Sequence, residues 1–442
     1  MEQNKSNFSI PAEQRQKWYS IAMVWIGAMI CVSSLMVGGM LGNGMKLGTC
    51  ALTIVVGYGI VCIYMCFMGM QGCDTGLPTA VMAGGSLGET GGKYVISAIL
   101  ALACIGWFGI QSGVCGSAFA SLGANMLGYE SASPAAVTIC SLIWGAIMLL
   151  TACLGFKGLK WLNYIAVPLL IIVLIYGLVV TMVTHDGAAA IAAYEPAQPL
   201  TLLSGINITV GSFAIGGSLA GDYCRFAKNR SDVIKSSVVG VLPSGLLILL
   251  IGAVLSIVTG EYDISVVLTA AGVPAIGLVA LIAATWTTNV TNAYSGGLSL
   301  SNLVGLDESR SRGCTAIAGL VGTILAAVGI MSKFTAFLTL LCALIPAFVG
   351  VIIADYWIVG KGKKENFVIR DGIFAPGMIA FLVGAFVACL TGGTFTYFEA
   401  LAFLNVPFFI GPINGLVLSM VLYVILVSVT GKNKTETEQV QA

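Results

Sequence analysis

The sequence predicts an all-α polytopic membrane protein with about twelve transmembrane helices, and three observations lead to this fold class. Of its 442 residues, 58% are hydrophobic and only 9% are charged, whereas a soluble domain carries about 25% charged residues. Long apolar runs recur along the whole chain, and basic residues collect between alternate runs. With a mean hydropathy of +0.98, most of the chain must have lipid as its solvent. The net charge of +1 gives no reason to expect a nucleic-acid partner.

The apolar runs are long enough to cross a bilayer, which takes about 20 mainly apolar residues. They lie at about 18–41, 47–70, 94–122, 135–154, 161–183, 203–221, 234–258, 272–294, 314–331, 334–358, 374–392 and 406–430. We number these predicted spans 1 to 12. They predict a cytoplasmic tail at 1–17, a ten-helix core at 18–358, two additional helices within 374–430 and a second cytoplasmic tail at 431–442.

The distribution of Lys and Arg predicts the orientation of these spans. With the N-terminus in the cytoplasm, 18 of the 20 basic residues fall in the tails and the inner loops, and only Lys46 and Lys333 fall outside. We therefore expect a multi-pass protein of the inner or plasma membrane with both termini in the cytoplasm. The first residues, MEQNKSNFSIPAEQRQKW, lack the short apolar region of a signal peptide.

Several residue types argue against an enzyme. The 13 Cys residues form no CxxC pair and lie mostly in apolar runs, which is typical of small buried side chains rather than of metal sites or disulfides. The single histidine, His185, falls in a predicted polar loop. All 19 acidic residues lie in tails, in loops or at span ends, so a carboxylate proton relay at membrane depth is not expected. We expect no cofactor beyond a coupling ion.

Two spans are rich in glycine and serine where a continuous helix would prefer leucine. Span 1 reads IGAMICVSSLMVGGMLGNG and span 6 reads GINITVGSFAIGGSLAGDY. They occupy equivalent positions if about 18–183 and 203–358 are two repeats of five spans. Gly-interrupted spans at corresponding positions indicate a transporter binding site, and an odd number of spans makes the second repeat inverted. The alternative is close helix packing through small residues.

Polar and aromatic residues at membrane depth form a short set. Span 3 contains Trp107 and Gln111 in GWFGIQSG, span 6 contains Phe213, and span 8 contains ATWTTNVTNAY with Asn289 and Asn292. Amides offer both a donor and an acceptor, and aromatic rings stack on flat ligands. This combination suits a neutral, nitrogen-rich heterocycle. For the amides and threonines, hydrogen bonding between helices is the alternative.

GWFGIQSG, GSFAIGGSLAGDYCRF, WTTNVTNAY and IPAFVGVIIADYW closely resemble motifs of the nucleobase:cation symporter family. That family contains cytosine permeases, purine permeases and transporters of hydantoin or allantoin. The resemblance implies a leucine-transporter-like fold with two inverted five-helix repeats, broken spans 1 and 6, and two extra helices. It also implies import of a base by alternating access, often with sodium.

The resemblance also implies residue roles. Trp107 and Phe213 would stack on the base, while Gln111, Asn289 and Asn292 would bind its edge together with backbone groups near Gly216. Sodium would lie between spans 1 and 8. Its ligands would be the carbonyl groups of Gly27, Ile30 and Ala284 and the hydroxyl groups of Thr287 and Thr288, an oxygen set that suits a hard cation.

Several alternatives remain open at this point. Cytosine permeases of the best-known bacterial type carry Gln three residues before the Trp, whereas this chain has Cys104 there. The order of Trp107 and Gln111 is more like the hydantoin and purine branches. A carrier of the same fold for another small neutral solute, such as a vitamin-precursor pyrimidine or an amino acid, and coupling to protons are the other possibilities. Asp222 and Arg225 are expected to form an ion pair at the inner end of span 6, and we expect a monomer.

Overall fold

The protein is described by a computed structural model that covers residues 10–129, 131–154, 159–260, 274–306 and 311–430. Within these residues the chain is helical, and its β-structure consists of one isolated bridge between Gln16 and Ala227. Residues 1–9 of the predicted N-terminal tail, the predicted tail at 431–442 and the first two residues of the run at 272–294 lie outside the described residues.

The α-helices follow the predicted runs closely, and each run overlaps at least one of them. They are α1 Trp18–Met29, α2 Val32–Gly44, α3 Leu47–Thr75, α4 Thr79–Leu87, α5 Glu89–Met126, α6 Pro134–Leu154, α7 Leu159–Thr184, α8 Gly187–Ala193, α9 Leu202–Ser218, α10 Ala220–Cys224, α11 Arg230–Thr259, α12 Pro274–Val304, α13 Ser311–Ala327, α14 Phe334–Ile353, α15 Ala375–Thr391 and α16 Gly411–Val429. A π-helical turn, Ala354–Val359, continues α14. Short 3-10 segments lie at Ala12–Gln14, Ile330–Lys333, Lys364–Asn366, Thr394–Tyr397 and Glu399–Leu404.

Seven helical segments of the described chain are long and apolar enough to cross a membrane. The number rises to nine if each of two sharply bent helix pairs is one span. Two shorter apolar helices lie at Arg312–Ala327 and Ala375–Thr391. The chain is therefore a multi-pass membrane protein, and the total of twelve spans stays a prediction.

Span 1 is broken, as the sequence predicts, but the break does not fall at its glycines. Helices α1 and α2 meet at an angle of 59°, and the two residues between them are Ile30 and Cys31. The amide of Cys31 donates to the carbonyl of Met29 at 3.0 Å, which ends the helical pattern. The thiol of Cys31 lies 3.2 Å from the hydroxyl of Ser33 and 3.2 Å from that of Ser34.

The glycines of span 1 serve helix packing instead. Gly38 and Gly42 lie within the continuous helix α2, which packs along α11. A Cβ atom at Gly38 would collide with the backbone carbonyl of Leu249, and one at Gly252 with the carbonyl of Leu35. The small-residue alternative therefore accounts for these glycines, because they let the two backbones approach closely.

Span 6 is interrupted more mildly, at Leu219 alone, between α9 and α10. The segment Leu202–Cys224 still counts as one span. Helix α4 docks at the interruption, because the Thr79 hydroxyl donates to the Ser218 carbonyl at 2.8 Å and the Thr79 amide donates to Asp222 Oδ2 at 3.2 Å.

The expected pair of Asp222 and Arg225 is wrong, since the ion pairs found within the described residues do not include it. The carboxylate of Asp222 is used by the start of α4. The guanidinium of Arg225 lies 4.9 Å from the ring centroid of Phe226 instead.

The π-helical turn gathers two polar networks at the end of the bundle that is predicted to be cytoplasmic. In the first, Arg230 donates to both oxygens of Asp74, and Tyr356 donates to Asp74 Oδ2 at 2.7 Å. Trp357 lies under the Arg230 guanidinium at 4.8 Å and donates to the Phe67 carbonyl at 3.2 Å. This network joins α3, α11 and the end of α14.

The second network is built on the neighbouring residue, Asp355. Its Oδ1 accepts from Arg370 at 2.8 Å and from the Tyr423 hydroxyl at 2.6 Å. The Arg370 amide also donates to the Gly84 carbonyl at 3.1 Å. Consecutive residues of the π-helical turn therefore hold different parts of the molecule, and π-helical turns frequently occur at functional sites.

Candidate substrate and cation site

Trp107 lies in the middle of α5 and is only 7% exposed. Two phenylalanines from the first turn of α14 meet it edge to face. The ring centroids of Trp107 and Phe334 are 5.8 Å apart, and those of Trp107 and Phe337 are 5.5 Å apart. Edge-to-face packing holds an aromatic plane in a fixed orientation. The indole is thus positioned by α14 before any ligand arrives.

Gln111 lies one helical turn after Trp107, as the spacing predicts. Its side chain is 4% exposed, and its Oε1 is buried without a hydrogen-bond partner. Buried acceptors are almost always paired in native proteins, so an unpaired one calls for a ligand, a water or another explanation. Gln111 Oε1 is thus an unpaired acceptor one helical turn from the Trp107 ring.

Phe213, in α9, is also buried and is held by two aromatic side chains that sequence reasoning missed. Its centroid lies 6.3 Å from that of Trp25 and 6.5 Å from that of Tyr58, both edge to face. The hydroxyl of Tyr58 in turn lies 3.1 Å from Ser212 Oγ. The clustering of aromatic residues in the apolar half of span 1 and in span 2 is the only signal in the sequence for these supports.

Gly216 lies directly beneath the ring of Phe213, one turn further along α9. A Cβ atom at this position would come within 2.5 Å of the Phe213 ring. The glycine therefore lets the ring fold back along its own helix. Helix α14 adjoins both aromatic positions, because Phe337 packs on Trp107 and the backbone of Leu338 packs against Gly211, two residues before Phe213.

Asn289 faces away from any open space, since it is 0% exposed. Its amide nitrogen donates to the Phe108 carbonyl at 3.1 Å and to Ser112 Oγ at 3.0 Å. Its oxygen accepts from Asn292 Nδ2 at 3.4 Å. In this conformation the Asn289 amide joins α5 to α12, as in the helix-packing alternative. Reading the edge of a ligand would require Asn289 to give up these bonds, and this role stays a prediction.

The predicted cation ligands fall into two local groups. In α12, the hydroxyls of Thr287 and Thr288 both donate to the Ala284 carbonyl, at 2.9 and 3.1 Å. Each hydroxyl oxygen keeps lone pairs that can accept a cation. At the break of span 1, the Cys31 amide donates to Met29 rather than to Gly27, whose carbonyl it would reach in a continuous helix.

A cavity of about 460 Å³ opens at the end of the bundle predicted to be extracellular. Its lining includes Met36, Met40, Asn43, Gln198, Phe334 and Thr335. Phe334 lines this cavity and also contacts Trp107. The Phe334 ring therefore stands between the outer cavity and the indole.

Comparison with known families places these features in context. Residues 9–422 match the family described as permease for cytosine/purines, uracil, thiamine and allantoin. The chain is 30% identical over 365 residues to the cytosine permease of Escherichia coli strain K12, a match that covers 82% of this chain and 83% of the relative. It is 22% identical to the hydantoin permease of Microbacterium maritypicum, covering 80% of this chain and 75% of that protein.

Among solved structures, the fold is similar to the inward-facing conformation of Mhp1. The TM-score is 0.79 at 19% identity, with 95% of this chain and 92% of that chain covered. Mhp1 in a closed conformation with bromovinylhydantoin bound, a nucleobase-cation-symport-1 family transporter, matches with a TM-score of 0.72 over 96% of both chains. At this level of identity the likeness concerns the fold, and it confirms the predicted leucine-transporter-like architecture.

Proposed function

This chain belongs to the family of permeases for cytosine/purines, uracil, thiamine and allantoin, and we propose that it imports a neutral nucleobase or a related heterocycle together with sodium. Like its family, it is a membrane permease rather than an enzyme. In the proposed cycle the protein lies in the inner or plasma membrane as a monomer with both termini in the cytoplasm. The site opens alternately to the two sides of that membrane.

The observation that carries the proposal is the unpaired acceptor of Gln111 beside the indole of Trp107. A flat ring stacked on Trp107 would present its edge to residues one turn away on the same helix. An N–H group on that edge would donate to Gln111 Oε1 and relieve the cost of a buried acceptor without a partner, which is about 1–3 kcal/mol. Phe213, braced by Trp25 and Tyr58, would supply the second aromatic surface.

The uncharged side chains at Trp107 and Phe213 favour an uncharged ligand. Trp107, Gln111 and Phe213 carry no formal charge, and neither do the aromatic side chains that pack against the two rings. A charged ligand buried here would lose its hydration without gaining an ion pair. A neutral ring with N–H and carbonyl groups on its edge loses less and can be matched by amides.

For the coupling ion, we propose sodium held by Gly27, Ile30, Ala284, Thr287 and Thr288. The hydroxyls of Thr287 and Thr288 share one turn of α12, and the break of span 1 turns an amide away from the Gly27 carbonyl. Carbonyl groups of an unwound helix are expected sodium ligands in such transporters. Sodium would favour one conformation of span 1 and so raise the affinity for the heterocycle.

Phe334 is the proposed barrier on the outer side. In the described conformation it separates the outer cavity from Trp107, so a heterocycle arriving from outside cannot reach the indole until the first turn of α14 moves. This geometry supports alternating access, because Phe334 both helps to position Trp107 and closes its outer side.

Uptake into proteoliposomes tests the proposal. The panel is cytosine, uracil, adenine, hypoxanthine, guanine, hydantoin and allantoin, each with an inward gradient of sodium or of potassium. We expect uptake of one or a few rings, dependent on sodium and lost in Trp107→Ala. The matched control is Trp286→Ala, since Trp286 lies in α12 but packs against Trp144 and Thr151. Normal uptake by Trp107→Ala would refute the stacking role.

The same experiment separates the alternatives. Equal uptake in both salts that follows an imposed pH gradient would mean proton coupling. An amino acid and a vitamin-precursor pyrimidine complete the panel, and uptake of either in place of these rings would mean another small neutral solute. The order of Trp107 and Gln111 is more like the hydantoin and purine branches. Overall sequence identity, in contrast, is higher to the cytosine permease than to the hydantoin permease. Both branches therefore belong in the panel.

A further inference from the structure

The connection between α15 and α16 is unusually apolar for a loop. Residues 392–410 read GGTFTYFEALAFLNVPFFI, with six aromatic residues in nineteen and Glu399 as the one charged residue. The side chains are strongly exposed: Phe403 is 79% exposed and Phe408 is 66% exposed. The other exposed apolar residues of this segment are Tyr397, Phe398, Leu401, Val406 and Phe409. Monomeric proteins rarely leave such a patch in contact with water.

The length of α15 places the start of this loop just inside the edge of the hydrocarbon core. The helix has 17 residues and so is about 25 Å long, whereas the hydrocarbon core of a bilayer is about 30 Å thick. A helix this short that starts at one face of the membrane ends before it reaches the other face. The residues that follow it must complete the crossing.

The two ends of the loop are hydrogen-bonded to neighbouring protein groups. The Leu390 carbonyl, at the end of α15, accepts from the Val406 amide at 2.9 Å. The Gly392 carbonyl accepts from Asn207 Nδ2 at 3.0 Å, and the Phe408 carbonyl accepts from Asn414 Nδ2 at 2.6 Å. Irregular backbone exposed to lipid does not occur within the hydrocarbon core of a membrane. The exposed part of this loop is therefore expected at the headgroup level, with its two ends fastened to protein.

The apolar surface of the loop is continuous with the surface of the two helices that must face lipid. Phe395 packs against Phe386 of α15 with a centroid distance of 6.0 Å. Phe386 is itself half exposed. The further large exposed apolar residues of α15 and α16 are Ile379, Leu382, Val383, Val417, Val421, Ile425 and Val429.

We propose that residues 394–409 form a lipid-binding loop, inserted in the membrane leaflet at the end of the bundle that is predicted to be extracellular. Its aromatic residues would lie at the level where aromatic side chains concentrate in membranes. The loop is also tied to the transport core, through Asn207 of α9 and through Thr394, whose hydroxyl donates to the Thr339 carbonyl of α14 at 3.2 Å. One of these bonds holds Gly392, just before the loop, and the other holds Thr394, its first residue, so lipid bound at the loop lies next to two attachments to the core.

Photo-crosslinking tests this proposal on the full chain. Phe403 or Phe408 is replaced by p-benzoylphenylalanine, and the protein is illuminated in vesicles of phosphatidylethanolamine and phosphatidylglycerol. We expect protein whose mass is raised by one phospholipid. The control is the same replacement at Glu195, an exposed residue at the same end of the bundle that pairs with Lys46. Position 195 should yield no lipid adduct.

The other outcomes overturn the proposal. Covalent dimers would show that a second copy of the chain covers the loop. An unmodified chain at both positions would show that the loop lies in water. Because Phe403 and Phe408 are strongly exposed, the added benzoyl group has room and folding should be unaffected. Elution as a single species by gel filtration checks this. If either variant fails that check, Tyr397 and Phe398 serve as replacement positions.

Discussion

Replacing Gln111 by leucine should make the ligand-free protein more stable and the complex weaker. Gln111 Oε1 is buried and unpaired, and an unpaired buried acceptor costs about 1–3 kcal/mol. Leucine has a similar volume and no polar atom, so Gln111→Leu should relieve this cost. A melting temperature raised by roughly 2 °C is expected. The complex instead loses a hydrogen bond, and a loss of about 1–3 kcal/mol lowers affinity by about 5- to 150-fold.

The assay is thermal unfolding of purified protein with and without the heterocycle found in the uptake panel, together with titration calorimetry. Asn289→Leu is the contrasting variant. Its amide nitrogen donates to Phe108 and Ser112, so its removal leaves acceptors unpaired and should lower stability by about 1–3 kcal/mol. A Gln111→Leu protein that melts below the wild type, or that binds the ligand unchanged, would refute the reasoning.

Three further variants have expected outcomes. Thr288→Ala should weaken sodium activation of uptake roughly tenfold, the effect of losing about 1.4 kcal/mol. Its control, Thr291→Ala, removes a hydroxyl bonded within the same helix and should leave sodium activation unchanged. Equal loss in both variants would contradict the proposed sodium site. Asp355→Ala should lower the free energy of unfolding by about 3 kcal/mol, because it leaves the guanidinium of its ion pair without a carboxylate; an unchanged melting temperature would disprove this. Gly38→Ala should lower the free energy of unfolding by about 1–3 kcal/mol, because the new Cβ meets the α11 backbone. Gly48→Ala, whose Cβ meets nothing within 4 Å, should be neutral. Equal melting temperatures of the two variants would show that α2 and α11 can separate.

The positions of the helices could be predicted from the sequence because lipid imposes one requirement on every spanning segment. Each predicted run overlaps a helix. The position of the break in span 1 could not be predicted in the same way. Glycine frees a backbone both to bend and to approach another helix, and composition does not separate these effects. The glycine-rich stretch of span 1 predicts a break, but Gly38 and Gly42 allow contact with α11, while the chain bends at Ile30 and Cys31.

The candidate site shows the same division between local and long-range information. Trp107 and Gln111 lie one turn apart, so their proximity follows from helix geometry, and the structure adds the unpaired oxygen. The supports of the aromatic rings come from other helices, and no spacing in the sequence connects Phe334 to Trp107 or Trp25 to Phe213. Asn289 had two possible partners, a ligand or a neighbouring helix. Only its surroundings show that it bonds to α5 in this conformation.

The ion pairs of the inner end were also beyond sequence reasoning. Closeness along the chain predicts an ion pair between Asp222 and Arg225, yet Asp222 accepts a hydrogen bond from the Thr79 amide. The pairs that do form are Asp355 with Arg370, which are 15 residues apart, and Asp74 with Arg230, which are 156 residues apart. A carboxylate at a span end has many cationic neighbours within reach, and the packing of distant helices decides among them.

The π-helical turn at the inner end of span 10 works as a joint, because it is bonded to several separate parts of the bundle at once. One side of it is fastened to α3 and α11 through Tyr356 and Trp357, and the other side to Arg370 and Tyr423 through Asp355. If α3 and α11 tilt during transport, the six residues of the π-helical turn, Ala354–Val359, must absorb the displacement while the turn stays bonded to Tyr423 of α16. The stiffness of the joint is then set by two carboxylates, Asp74 and Asp355, which lie away from the heterocycle. We therefore expect substitutions at Asp74 or Asp355 to change the rate of reorientation more than the affinity for the transported solute.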